Sequence, residues 1–168
     1  MTRFRICGNH YCGLWLPGIV FFLIQELPYA VMPFLSLTSN PLMEMQTSGH
    51  VLDVMEKLSG IMSVVLLVLP VNDKDADASL KILRNKIFFV LALLFLAVYF
   101  VGWWFYFNGF RSIVLMLSCL VAMPPLYYMS LGLWRRNRPL VIVAVFFLVF
   151  HIANVWTGLN VFLFREGY

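Results

Sequence analysis

The chain has 168 residues, of which 62% are hydrophobic and 12% charged, and its net charge is +4. So few charges cannot cover the surface of a soluble domain, in which about a quarter of the residues are charged. Long apolar runs indicate that lipid surrounds most of the chain. The basic excess does not predict nucleic-acid binding, because Lys and Arg lie at the ends of apolar segments.

Five apolar segments follow one another, each near the length of about 20 residues that a membrane-spanning helix needs. The predicted spans are 14–37, 51–71, 87–107, 112–134 and 140–164. The first follows basic residues, as in a signal peptide, but it is too long for one and has no cleavage site of small residues. We therefore expect a single all-α domain, 1–168, folded as a polytopic membrane helical bundle.

The second span is the least apolar of the five. Its uninterrupted apolar part, 58–71, covers only about 21 Å as a helix, less than the hydrocarbon core of a bilayer. Adding the preceding turns completes a span and places a charged cluster, Asp53, Glu56 and Lys57, at its outer end. Asp53 and Lys57 are four residues apart and can pair on one helix face. This cluster is either a solvated helix end or a vestibule that attracts cations or a partner.

The basic residues predict the orientation of the bundle. With five spans, nine of the 12 Lys and Arg residues fall on one side and three on the other. Basic residues favour the cytoplasmic side, so we expect a cytoplasmic N-terminus, an outside C-terminus and a multi-pass protein of the plasma membrane. If 51–71 did not cross, the nine residues would be divided between the two sides.

Two ionisable side chains are predicted at the same depth inside the membrane. Glu26 lies roughly 18 Å into the first span and His151 roughly 17 Å into the fifth. Such residues usually face the interior of a bundle. We therefore expect the first and fifth helices to be adjacent, with Glu26 and His151 as a ligand or proton site.

Further polar residues and prolines lie near this depth. Asn154 shares a helix face with His151, Tyr29 shares one with Glu26, and Gln25 is next to Glu26. Prolines remove N–H donors and disturb a helix, and broken helices near the midplane are typical of transporter binding sites. The predicted kinks are at Pro28, Pro124 and Pro125.

Metal or cofactor chemistry is not expected. Cys7, His10 and Cys12 offer three ligands where a structural zinc site needs four, and lipid modification of the two thiols is the alternative. The sequence has no nucleotide-binding, hydrolase or metalloprotease motif, so an enzyme is the less favoured class.

Two functions fit these features equally well. In the first, the Glu26–His151 region binds or conducts a small solute, an ion or a proton, with a homo-oligomer completing the pathway. In the second, the polar residues only hold the helices together, and the chain is a non-catalytic accessory, protector or interaction subunit of a membrane complex. Action on a lipid is a third, weaker hypothesis. The lipid bilayer is the one partner that all of them share.

Overall fold

The computed structural model describes residues 3–7, 10–35, 37, 40–45, 49–69, 71–73 and 81–166, and it describes side chains between 13 and 161 except in 70–85 and at the gaps. The side chains of Cys7, His10 and Cys12 therefore lie outside the described set, as does most of the 72–86 loop. Within the described part, the chain is a bundle of long helices with one short sheet.

The helices and strands are as follows in chain order. They are β1 (Arg3–Cys7), β2 (His10–Gly13), α1 (Leu16–Val31), α2 (Pro41–Glu44), α3 (His50–Val68), β3 (Val71–Asp73), α4 (Lys81–Phe107), α5 (Ile113–Leu115), α6 (Met123–Arg135) and α7 (Arg138–Glu166). A 3-10 turn, Met32–Phe34, continues α1, and a π-helical turn, Met116–Val121, joins α5 to α6. The five predicted spans are found as helices whose ends differ from the predicted ends by a few residues.

Four segments are long and apolar enough to cross a membrane, by length and composition. They are Leu16–Phe34, Lys86–Phe107, Ile113–Arg135 and Arg138–Val161. The helical bundle with several apolar helices is thus confirmed. The helix over the second predicted span, α3, is not among the four, since it carries Asp53, Glu56 and Lys57.

The short sheet was not expected from the sequence. Strand β2 lies between β1 and β3, and both pairings are antiparallel. His10 pairs with Asp73, so the residues before α1 and those after α3 meet at one end of the bundle. The backbone N–H of Trp15 also donates to the carbonyl of Val68 (2.8 Å). Helix α3 therefore runs antiparallel to α1 along the bundle and returns the chain to the end where α1 begins.

Helix packing departs from the prediction that the first and last helices are adjacent. Helix α7 packs mainly along α3 and α6, whereas α1 packs against α3 and α4. Small residues allow the close approach of α3: Ser59 and Ser63 are buried, and Gly60 faces the ring of Phe147 on α7. At the other end of α3, a Cβ on Gly18 would lie 2.6 Å from the Leu67 carbonyl oxygen. Helix α3 is thus the common neighbour of α1 and α7.

The helix of the fourth predicted span is interrupted near Pro124 and Pro125, the two positions at which a kink is predicted. Pro124 and Pro125 occupy the first turn of α6, where a missing N–H costs no helical hydrogen bond. The interruption itself lies just before them, because the π-helical turn Met116–Val121 ends with the Ala122 N–H donating to the carbonyl of Leu117 (2.9 Å). Pro28 lies inside α1, which continues to Val31.

Candidate functional site

A cavity of about 440 Å³ lies among α1, α3, α6 and α7. This volume is within the range of about 300–1,000 Å³ that is usual for small-molecule sites. Helices α1 and α7 both begin at the end of the bundle where β2 and β3 meet. Glu26 lies roughly 15 Å along α1 from that end, and His151 lies roughly 20 Å along α7. The cavity is therefore near the middle of the bundle. Its lining consists of Phe22, Gln25, Glu26, Tyr29, Gly60, Ile61, Val64, Val65, Pro124, Tyr128, Phe147 and His151.

The exposure of two lining residues of α3 indicates that the cavity opens on the flank of the bundle. Two of its lining residues, Ile61 and Val65, also belong to the outer surface, where they are 61% and 41% exposed. The two helices converge at the opposite end, where Gly18 meets Leu67. A molecule can therefore reach the cavity through the apolar flank of the bundle.

The polar link to His151 is made by Glu56 and not by Glu26. His151 Nδ1 lies 2.6 Å from one carboxyl oxygen of Glu56, and the side-chain amide of Asn154 donates to the other. The Glu56 and His151 side chains are only 17% and 13% exposed. Two residues of α7 thus hold one carboxyl group of α3 in the interior of the bundle.

Within the predicted outer charged cluster, Asp53 and Lys57 pair with each other, whereas Glu56 does not join them. Lys57 Nζ lies 2.7 Å from a carboxyl oxygen of Asp53, one turn away, and the Lys57 side chain is 65% exposed. Glu56 contacts His151 of α7 instead. It is about 100° from Lys57 around α3, on the side that faces α7, so its carboxyl group points into the bundle.

Gln25 is bound into the core next to the cavity. Its side-chain carbonyl accepts a hydrogen bond from the Tyr128 hydroxyl, and its amide nitrogen donates to the Tyr99 hydroxyl at 3.3 Å. Gln25 is 3% exposed. These bonds connect α1 with α4 and α6, which satisfies the Gln25 amide and fixes the position of the helix turn that carries Glu26.

Glu26 is placed differently from the other polar residues of the lining. Its side chain is partly buried at the cavity wall. No Lys, Arg or His of the described chain forms an ion pair with it. Tyr29, one turn further along α1, also lines the cavity, and its ring packs edge-on against Trp103 (5.0 Å between centroids).

Aromatic rings make up much of the cavity wall. Phe147 stacks on His151 with 4.9 Å between ring centroids, and on Tyr128 with 6.4 Å. Phe22 adds another ring from α1. Polar atoms are few, so the lining combines an apolar, aromatic surface with one carboxyl group that has no basic partner among the described residues.

The structure thus brings all the predicted site residues to one region but assigns them different contacts. Glu26, Gln25, Tyr29 and His151 line the cavity, whereas Asn154 is not among its lining residues and donates to Glu56. Sequence reasoning missed Glu56 as an interior residue. A signal was present, because Glu56 and the small residues Ser59, Gly60 and Ser63 recur at helical spacing on one face of α3.

Metal binding finds no support in the described residues, which contain no group of three His, Cys, Asp or Glu side chains able to hold an ion. The fold and cavity define a class: a helical bundle with apolar helices of membrane-spanning length and an interior cavity at mid-depth. No family model, curated protein or solved structure matches the chain.

Proposed function

We propose that this chain is a multi-pass membrane protein that takes up a small, mainly apolar molecule from the surrounding lipid into the cavity between α1 and α3. The observation that carries the proposal is the cavity of about 440 Å³ with Glu26 on its wall and an opening at Ile61 and Val65. Largely apolar pockets with a few polar groups are the usual form of ligand sites.

In the alternative function, the polar residues only hold the helices together. The side chains that do so in the structure are a different set from Glu26. Glu56, His151 and Asn154 connect α3 to α7, and Gln25 connects α1 to α4 and α6. Glu26 makes no comparable link between helices among the described residues. Intramembrane acids are costly and are usually functional, which favours a role of Glu26 in ligand binding.

A neutral photolabel tests this proposal. Phenyl(trifluoromethyl)diazirine is expected to label Phe147 and its neighbours in a saturable manner, whereas labelling of residues that face lipid should rise linearly with concentration. The Ile61→Trp substitution fills the opening and should reduce cavity labelling at least tenfold. Peptide mass spectrometry of the full chain in lipid nanodiscs measures the labelled positions.

Met62→Trp is the matched control, because Met62 is 45% exposed on the same helix and does not line the cavity. Equal labelling in the two variants, or no saturable position, would contradict the proposal. A chain without a saturable site that co-purifies with a different protein in fixed ratio would instead be an accessory subunit.

We further propose that α3 crosses the membrane, which gives five spans with the N-terminus in the cytoplasm and the C-terminus outside the plasma membrane. Helix α3 has 19 residues, a length of roughly 28 Å. Its charges are partly masked, because Lys57 pairs with Asp53, and Glu56 binds His151. Transport of the ligand, as opposed to its binding, would need a homo-oligomer, since five helices form a thin wall.

Reporter fusions at the C-terminus distinguish five spans from four. Alkaline phosphatase is active only outside the bacterial inner membrane, and green fluorescent protein fluoresces only on the cytoplasmic side. We therefore expect a C-terminal alkaline phosphatase to be active and a C-terminal green fluorescent protein to be dark. Fusions after residue 137 should show the opposite pattern and serve as the control. A fluorescent C-terminal fusion would place α3 at the membrane surface.

A further inference from the structure

We infer that the ligand of this cavity is a lipophilic organic cation, held by the carboxyl group of Glu26 with its apolar body against the aromatic wall. This inference rests on the proposed function and specifies the chemical class of the ligand. It depends on the electrostatic character of the lining, on which polar groups remain available, and on the route of entry.

The charged groups of the lining favour a positive ligand. Among the side chains that the structure describes, neither a Lys nor an Arg lines the cavity, and its basic lining residue, His151, is already bound to Glu56. An organic anion would thus meet the carboxyl group of Glu26 with no described side chain free to neutralise it. Like charges brought together away from water repel each other strongly, so the lining disfavours anions.

Gln25 and His151, two further polar residues of the lining, are engaged with the protein. The Gln25 amide binds Tyr99 and Tyr128 on both of its ends, and His151 faces the Glu56 carboxyl group. Glu26 has a hydrogen bond with the Gln25 side chain but no basic partner among the described side chains. It is therefore the group of the lining that can form a new ion pair with a bound cation.

An inorganic cation fits this lining poorly. Hard cations such as Ca²⁺ take about six to eight oxygen ligands, whereas the described residues hold no set of three potential metal ligands. Phe22, Tyr29, Tyr128 and Phe147 instead offer a large aromatic surface. Aromatic rings attract organic ammonium groups and pack well against flat apolar bodies.

The lateral opening agrees with a lipophilic ligand. Ile61 and Val65, which border the opening, are apolar and exposed on the flank of the bundle. A strongly hydrated ion would lose its water on this route with no polar group to replace it. A cation with delocalised or shielded charge and several apolar groups can enter from the lipid phase.

Two ions of nearly equal size and shape but opposite charge test the inference. Tetraphenylphosphonium and tetraphenylborate both carry four phenyl rings, so a difference between them reports the sign of the charge. Each is added to the full chain in nanodiscs during labelling with the neutral diazirine. We expect tetraphenylphosphonium to protect Phe147 from labelling at a concentration at least tenfold lower than tetraphenylborate.

The Glu26→Gln variant should remove this difference while cavity labelling persists. Glu44→Gln is the control, because it removes one exposed carboxyl group on α2 and should keep the preference for the cation. Equal protection by the two ions in the unchanged protein, or an unaltered preference in Glu26→Gln, would overturn the inference. Saturable labelling of the cavity would then still support the proposed function. The proposed function itself fails if no position is labelled in a saturable manner.

A second measurement needs no variant. Dicyclohexylcarbodiimide modifies carboxyl groups inside membranes, and the adduct at Glu26 can be quantified by peptide mass spectrometry. We expect tetraphenylphosphonium to reduce this modification severalfold and tetraphenylborate to leave it unchanged. Modification of Glu26 that neither ion affects would contradict the inference even if Glu26→Gln does not fold.

Discussion

Replacing His151 with leucine is expected to lower the free energy of unfolding by about 3 kcal/mol, the lower end of the range for breaking a buried ion pair from one side. The substitution leaves the Glu56 carboxyl group, 17% exposed, with the Asn154 amide as its remaining described donor. Hydrogen bonds between neutral groups in membranes contribute less, on average about 0.6 kcal/mol. Reversible unfolding of the protein in mixed micelles, followed by circular dichroism, measures the loss.

The double variant Glu56→Leu/His151→Leu shows whether the stability loss in His151→Leu comes from the unpaired Glu56 carboxyl group or from lost packing. Removing both partners leaves neither of them buried without the other, so this variant should be more stable than His151→Leu alone. Glu56→Gln keeps the shape and part of the hydrogen bonding, and it should cost about 1 kcal/mol. Glu56→Leu completes the double-mutant cycle, and a double variant whose loss equals the sum of the Glu56→Leu and His151→Leu losses would show that Glu56 and His151 do not interact.

Substituting alanine for Gly18 is expected to destabilise the protein by about 2 kcal/mol, a cost typical of overpacking. The added Cβ would lie 2.6 Å from the carbonyl oxygen of Leu67 and 2.8 Å from the Trp15 ring. The first of these atoms belongs to the backbone of α3, so α1 and α3 must separate where they converge. The same unfolding measurement gives the loss.

Gly60→Ala is the matched control for this prediction. The nearest atom to its Cβ would be a ring carbon of Phe147 at 3.2 Å, in a side chain that can shift. Alanine is also a better helix former than glycine by about 1 kcal/mol. We expect Gly60→Ala to change stability by less than about 0.5 kcal/mol. Equal losses in the two variants would show that the contact of Gly18 with Leu67 does not limit the approach of the helices.

These two contacts define the shape of the candidate site. Gly18 allows α1 and α3 to meet at one end, and the Glu56–His151 pair ties α3 to α7 near mid-depth. Helix α1 reaches α6 through Gln25 and Tyr128. The cavity lies in the space that these contacts leave open, so a change at either contact should also alter ligand binding.

The sequence by itself determined the positions of the helices. Apolar runs of membrane-spanning length can only be helices in lipid, since every backbone polar group must be satisfied within the segment. The prolines after Met123 indicated the region in which the fourth span is interrupted, although the π-helical turn itself lies just before them. The depth of Glu26 and His151 followed from the fixed rise of a helix, and both do line one cavity.

Only the tertiary structure decided which side chains meet. Depth along a helix does not tell which neighbour a helix face contacts, so Glu26 was paired with His151, whereas α3 lies against α7 and supplies Glu56. Glu56 was assigned to the outer surface because its neighbours Asp53 and Lys57 are charged, yet a rotation of about 100° per residue sends it inward. Contacts between distant segments depend on small residues such as Gly18 and Gly60. Their positions in the sequence show where another helix can approach closely, but they do not show which helix it is.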